Sequence, residues 1–228
     1  MLLATASTLA SCSRQLPAQN VLLAAVIILL TAGGIVSLGA LTAVPFGPFS
    51  YNPDAIGQMF FHCLPWPVPF IWLVLLLNSC GVARLILRSW RQRRDYGLWL
   101  IGLTALLTVM LELGLECFAT MVQGYWSWKP TRLPWDWYTA PWANFLAWAV
   151  TAVLILAFVT PALIRKKPGR PPPDYHPLVV WLLLNVLFFT GAAVHRLTTA
   201  MMVIGAQGVT VALLAGLGAL RSSSSTNS

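Results

Sequence analysis

The chain has 228 residues, of which 58% are hydrophobic and only 9% charged. A soluble domain carries about 25% charged residues, so the composition excludes a soluble globular protein and specifies an integral membrane one. The formal charge of +8 does not point to nucleic acid, because the basic residues stand in short segments beside apolar runs, where they serve as topology signals and contacts for anionic lipid.

Residues 1–20 read as an N-terminal cytoplasmic tail. Leu9-Ala10-Ser11-Cys12 has the form of a lipoprotein cleavage box. No basic segment precedes it and the apolar stretch before it is short, so the match is read as chance. An apolar run of about 20 residues crosses the hydrocarbon core as a helix. Six such runs follow, at 21–42, 68–87, 98–120, 144–163, 178–194 and 198–220. Only His195-Arg196-Leu197 divides the last two, which fits either a tight hairpin or an irregular pair. The Ser-rich residues 221–228 read as a disordered tail. The predicted fold is therefore all-α: a polytopic membrane helical bundle of about six spans, forming a single domain over 21–220.

Charge orients this bundle. Arg84, Arg88, Arg91, Arg93 and Arg94 lie between spans two and three. Arg165, Lys166, Lys167 and Arg170 lie between spans four and five, and Arg14 and Arg221 flank the two ends. Six spans place all of these on one side, against Lys129, Arg132 and Arg196 on the other. The positive-inside rule then puts both termini in the cytoplasm. Pro168, Pro171, Pro172 and Pro173 make the second basic loop stiff. No internal repeat suggests an inverted-repeat transporter.

The outer loops are aromatic. Residues 43–67 contain Phe46, Phe49, Tyr51, Phe60, Phe61 and Trp66, and residues 124–148 contain Tyr125, Trp126, Trp128, Trp135, Trp137, Tyr138, Trp142 and Trp148. An interfacial belt alone would place Trp on both faces; here Trp90 and Trp99 are the main inner exceptions. Aromatic residues mixed with Pro and Gly predict loops that fold back over the outer mouth of the bundle.

Glu112 and Glu116 stand inside the third span. A charged side chain at mid-membrane costs about 2.5–3.5 kcal/mol, and i, i+4 spacing puts both carboxyls on one helix face. Gly114 between them permits a close helix neighbour. Such a pair offers an acid and a base side by side, the pattern of proton chemistry. A structural role, bonding helix backbones or balancing an arginine, is the alternative. Asn144 opens span four, either as an N-cap or pointing at the carboxyls. His195 reads as an interfacial anchor, and Arg196 snorkels or pairs with a glutamate. Asn78 and Asn185 are candidates for inter-helix hydrogen bonds. Asp54 and Asp136 read as solvated loop acids. Cys12, Cys63, Cys80 and Cys117 have no metal or redox spacing.

Three segments in order carry a resemblance: Glu112-Leu-Gly-Leu-Glu116, Gly124-Tyr125-Trp126-Ser127-Trp128, and Pro141-Trp142-Ala143-Asn144-Phe145-Leu146-Ala147-Trp148. Together they resemble the carotenoid-biosynthesis integral membrane protein family, whose known members hydrate the end groups of acyclic or monocyclic carotenoids. The Pro67-Val68-Pro69-Phe70-Ile71-Trp72 opening of span two and the Phe46-Gly47-Pro48-Phe49-Ser50-Tyr51 loop are similar to the same pattern. The likeness is good from residue 40 to 160 and weak elsewhere. The family usually has Asp where Glu112 and Glu116 stand, Pro where Cys117 stands, and Gly at Ala147.

The resemblance implies addition of water across a terminal isopropylidene double bond with no cofactor and no metal. Glu112, the deeper acid, would protonate the alkene and Glu116 would position water, or the reverse. Tyr125, Trp126, Trp128, Asn144, Trp148, Trp72 and Tyr51 would bind the substrate, with Trp126, Trp128 and Trp148 stabilising the cation by up to about 2 kcal/mol. The implied partners are a carotenoid or similar isoprenoid, water, membrane lipid and other enzymes of the same pathway, in a bacterial or archaeal cell membrane. Two other classes remain open: a proton-coupled transporter of a small lipophilic compound, and a non-catalytic carotenoid-binding subunit. A prenyltransferase would need a paired Asp-rich motif for magnesium pyrophosphate, which the chain lacks.

Overall fold

The computed structural model describes residues 1–130, 135–163 and 172–224. Arg132, Arg165, Lys166, Lys167, Pro168, Arg170, Pro171 and the last four residues of the expected tail lie outside them. In chain order the elements are α1 (Leu2–Gln15), α2 (Ala18–Thr42), β1 (Phe49–Tyr51), a single turn α3 (Pro53–Ile56), β2 (Met59–Phe60), β3 (Leu64–Pro65), α4 (Pro67–Ile86) and α5 (Tyr96–Cys117). There follow β4 (Trp126–Trp128), β5 (Asp136–Trp137), β6 (Ala140–Pro141), α6 (Trp142–Leu163), α7 (His176–Val194) and α8 (Thr198–Ser224). Among the described residues six helices, α2 and α4 to α8, are long and apolar enough to cross a membrane. They coincide with the six predicted runs, and the chain is a multi-pass helical membrane protein. α8 runs on to Ser224, past the expected start of the tail.

The helix ends follow local rules. α4 opens on prolines in its first turn, where a missing N–H leaves no bond unmade. α2 closes on Ala43, left-handed at φ 64, whose N–H donates to Gly39 O. α7 and α8 form the tight hairpin, closed by Arg196 at φ 56 and by Leu197 N donating to Ala192 O at 2.8 Å. His195 and Arg196 are exposed in that turn, so Arg196 does not serve the glutamates.

α4 is the centre of the bundle. Its most apolar window is 72% buried, against 28% for α7 and α8, and it packs on α1, α2, α5, α7 and α8. α6 lies against α2 and α5. Asn78 and Asn185 act as predicted. Asn78 Nδ2 donates to Thr8 Oγ1 at 2.9 Å, and Gln207 Nε2 donates to Asn185 Oδ1 at 2.8 Å and to Met110 O at 2.9 Å, tying α5, α7 and α8 together.

Residues 2–15, read as tail from sequence, form α1. Fourteen residues span about 21 Å, too short to cross the hydrocarbon. α1 packs instead through a polar stripe: Thr8 accepts from Asn78, Ser11 Oγ donates to Asp174 Oδ2 at 2.9 Å, and Ser7 Oγ hydrogen-bonds His176 Nε2 at 2.8 Å.

Gly114 fulfils its expected role. A Cβ there would stand 2.8 Å from Cδ2 and 3.0 Å from Cβ of Phe188 on α7. Gly114→Leu should therefore separate α5 from α7, with an overpacking cost of about 1–3 kcal/mol. A lowered thermal transition in detergent, with Gly34→Leu as the control where a Cβ meets nothing, checks this.

The two aromatic loops meet as an antiparallel ribbon. β1 pairs with β4 in the register Phe49↔Trp128, Ser50↔Ser127 and Tyr51↔Trp126, extended by Lys129 N to Pro48 O at 2.9 Å. Side chains alternate across a strand, so the four aromatic residues share one face and the two exposed serines the other. Two smaller pairs, β2 with β3 and β5 with β6, complete the loops. Tyr138 Oη accepts the Ala200 N–H at 3.1 Å and so anchors them to the start of α8.

Candidate functional site

The ribbon lays Phe49, Tyr51, Trp126 and Trp128 over a cavity at the mouth of the bundle. Val68, Ile71 and Trp72 of α4, Glu112, Leu115 and Glu116 of α5, Asn144 and Trp148 of α6, Val36 of α2 and Phe46 form the rest of the wall. The unfilled volume, mouth included, is about 470 Å³. Glu112 and Glu116 are each 1% exposed, one helical turn apart on the wall that faces the ribbon.

The carboxyls have unlike environments. Trp128 Nε1 donates to Glu116 Oε1 at 2.6 Å, and Trp126 Nε1 lies 3.1 Å from Oε1 and 3.3 Å from Oε2. The W-x-W spacing makes this possible, since residues two apart on a strand point the same way. Hydrogen bonds from N–H donors to an ionised carboxylate are about twice as strong as neutral ones, so this pair of indoles suits a charged Glu116. Glu112 Oε1 accepts a single bond, from Asn144 Nδ2 at 3.2 Å. Its Oε2 is buried and takes no N–H or hydroxyl donor among the described residues, while the Glu116 carboxyl stands within hydrogen-bonding reach of the Glu112 side chain. Below the ribbon, Thr120 Oγ1 donates to Glu116 O at 2.8 Å and Trp137 Nε1 to Leu113 O at 3.0 Å. α5 then widens into one π-helical turn, Phe118–Val122.

Aromatic faces close the remaining sides. Trp72 and Trp148 stack with centroids 3.8 Å apart and planes 10° from parallel, while Phe49 meets Trp128 at 5.4 Å and Tyr51 edge-on at 5.2 Å. Burial holds the Tyr51 phenol above its ordinary value, and the negative potential of Glu112 and then Glu116 adds to this. Tyr51 therefore keeps its proton and remains a donor at neutral pH.

Nearly all the residues expected at the site come together here: Glu112, Glu116, Trp126, Trp128, Asn144, Trp148, Trp72 and Tyr51 all line the cavity. Tyr125 does not. It precedes β4, and its backbone works instead, with Asn52 N donating to its O at 2.9 Å and its own N donating to Ala119 O at 2.8 Å. Asn144 is not an N-cap. α6 begins at Trp142, and the Asn144 side chain goes to Glu112. Phe46 and Phe49 were visible as loop aromatics but not as walls of the site. Their signal was the F-G-P-F-S-Y loop itself, in which Phe49 and Tyr51 alternate with Ser50.

Comparison with known proteins gives the family. Residues 1–215 match the family described as carotenoid biosynthesis protein. Over 167 residues, 71% of the chain, the sequence is 30% identical to a bisanhydrobacterioruberin hydratase of Haloarcula japonica. That alignment covers 54% of the relative, so the chain spans about half the length of the curated protein it matches. No solved structure matches it. With the family match running from α1 into α8 and taking in every wall of the cavity, the chain belongs to the carotenoid biosynthesis protein family.

Proposed function

We propose that this protein hydrates a terminal isopropylidene double bond of an acyclic or monocyclic carotenoid by acid–base catalysis in the membrane. One observation carries the reading: two buried carboxyls with unequal hydrogen-bond donors share one aromatic-walled cavity. The hydratase named among its relatives supports the reaction class.

The chemistry can be followed atom by atom. Glu112, with a single neutral N–H donor and the Glu116 carboxyl beside it, is the acid. Its O–H breaks as a C–H bond forms at the terminal alkene, leaving a tertiary carbocation. Trp126, Trp128 and Trp148, whose rings line the cavity, would stabilise that charge by cation–π attraction, worth up to about 2 kcal/mol in a desolvated site. Glu116, held as a carboxylate by two indoles, orients a water molecule. As the water oxygen bonds to the cation, its surplus proton passes to Glu116. Return of that proton to Glu112, one turn away, restores both groups, so the net change is one water added. The polyene is about as long as the bilayer is thick, and a cavity at one end of the bundle suits work on an end group while the chain stays in lipid.

The charge distribution supports a cytoplasmic location for both termini, with the ribbon on the outer side. The test is expression in cells that make lycopene or a monocyclic carotene, followed by mass analysis of the pigments. Products heavier by one or two waters are expected. Unaltered pigments beside membrane-inserted protein would remove the hydratase reading.

A further inference from the structure

A second cavity lies at the other end of α4 and α5. Along α4, Trp72 lines the first cavity, while Leu77, Gly81, Arg84 and Leu85 line the second, and the arginine end of the second lies about 18 Å from Trp72. α1, α4, α5 and α7 frame it, with an unfilled volume of about 1460 Å³, mouth included. Arg84, Arg88, Arg91, Arg93 and Arg94 all line it, and Asp174 is the sole carboxylate among the described lining residues. That carboxylate is already engaged by Ser11 Oγ at 2.9 Å and His176 N at 3.1 Å. Arg84 is fixed in place by Nη2 donating to Leu163 O at 3.0 Å.

Topology needs positive charge near the membrane face, not a hollow for it to converge on. Two features set the level of this hollow. Trp90 and Trp99 lie beside it in edge-to-face contact at 5.8 Å, both exposed, as interfacial anchors do. Arg93 stands 4.9 Å from the Trp90 ring centre. Leu16, Leu77, Leu85 and Leu100 supply an apolar floor. Guanidinium clusters suit phosphate oxygens, which they bind bidentately, and basic pockets between membrane helices hold anionic headgroups.

We propose that this arginine-lined cavity is a specific site for a phosphate-bearing anion, supplied by the headgroup of an anionic membrane phospholipid. The site is independent of the hydratase reading and shares no residue with it.

Native mass spectrometry of the full chain, released from nanodiscs, tests the site. Phosphatidylglycerol should remain bound where phosphatidylcholine does not, and inorganic pyrophosphate should displace it weakly. Arg91→Gln with Arg94→Gln, on the rim and away from the Arg84 anchor, should weaken retention about thirty-fold, at about a tenfold loss per 1.4 kcal/mol. Arg91→Lys with Arg94→Lys should restore much of it. Tight pyrophosphate binding without lipid would keep the phosphate site but assign it to a soluble anion. Equal retention of both lipids, or unchanged retention in a folded Gln pair, would overturn it.

Discussion

Glu112→Gln and Glu116→Gln should each abolish hydrated product in a carotenoid-making host while the protein still accumulates in the membrane. Amide substitution keeps size and removes proton transfer, and loss of general acid–base catalysis typically costs about 10²–10⁴-fold. The two variants differ in what else they disturb. In Glu112→Gln the side-chain oxygen can still accept the Asn144 bond and the amide can still donate to Glu116, so Glu112→Gln disturbs the packing least. In Glu116→Gln the oxygen that already takes both indole N–H groups is kept but loses its charge, and an NH₂ group replaces Oε2, 3.3 Å from the Trp126 donor. Glu116→Gln should therefore lose activity and loosen the ribbon together, which faster proteolysis of the outer loops would register. Retained hydration in both single variants would leave the carboxyls a structural pair.

Removing the indole donors should have the next largest effect. Trp128→Phe keeps an aromatic face but deletes the 2.6 Å bond to Glu116. A hydrogen bond to a charged group contributes about 1.5–3 kcal/mol, so hydration in membrane fractions should fall about ten- to hundred-fold. Trp126→Phe, which deletes the longer shared bond, should cost less. The double variant should approach Glu116→Gln, since neither donor is left to hold Glu116 as the carboxylate that must take the proton from water. Trp137→Phe removes an indole bond to a backbone carbonyl and should leave the rate near wild type. Equal rates in all three single variants would mean that the indoles cover the site without tuning it.

What the sequence reveals of this molecule follows the range of the forces involved. The six spans announce themselves because a membrane helix is a local statement, about 20 apolar residues in a row. The acid pair does so for the same reason, since i, i+4 spacing fixes a shared face. α1 is different. Its partners Asn78 and Asp174 lie 70 and 163 positions away, and a polar stripe gives hydropathy nothing to detect. The ribbon is different again: three-residue strands have little propensity of their own, and only the pairing of Ser50 with Ser127 sets which aromatic residues face inward. For Asn144, the open choice turned on where α6 begins, and helix boundaries are poorly fixed by pattern alone.

The ribbon also links access to chemistry. A two-stranded pair is marginal by itself, and this one is pinned inward by the same indole N–H groups that bind Glu116. It cannot swing outward without stripping the carboxylate of its donors. Under the proposed mechanism, a conformation loose enough to admit an end group from above would leave Glu116 without the donors that fit it to act as base, and latching of the flap would restore them.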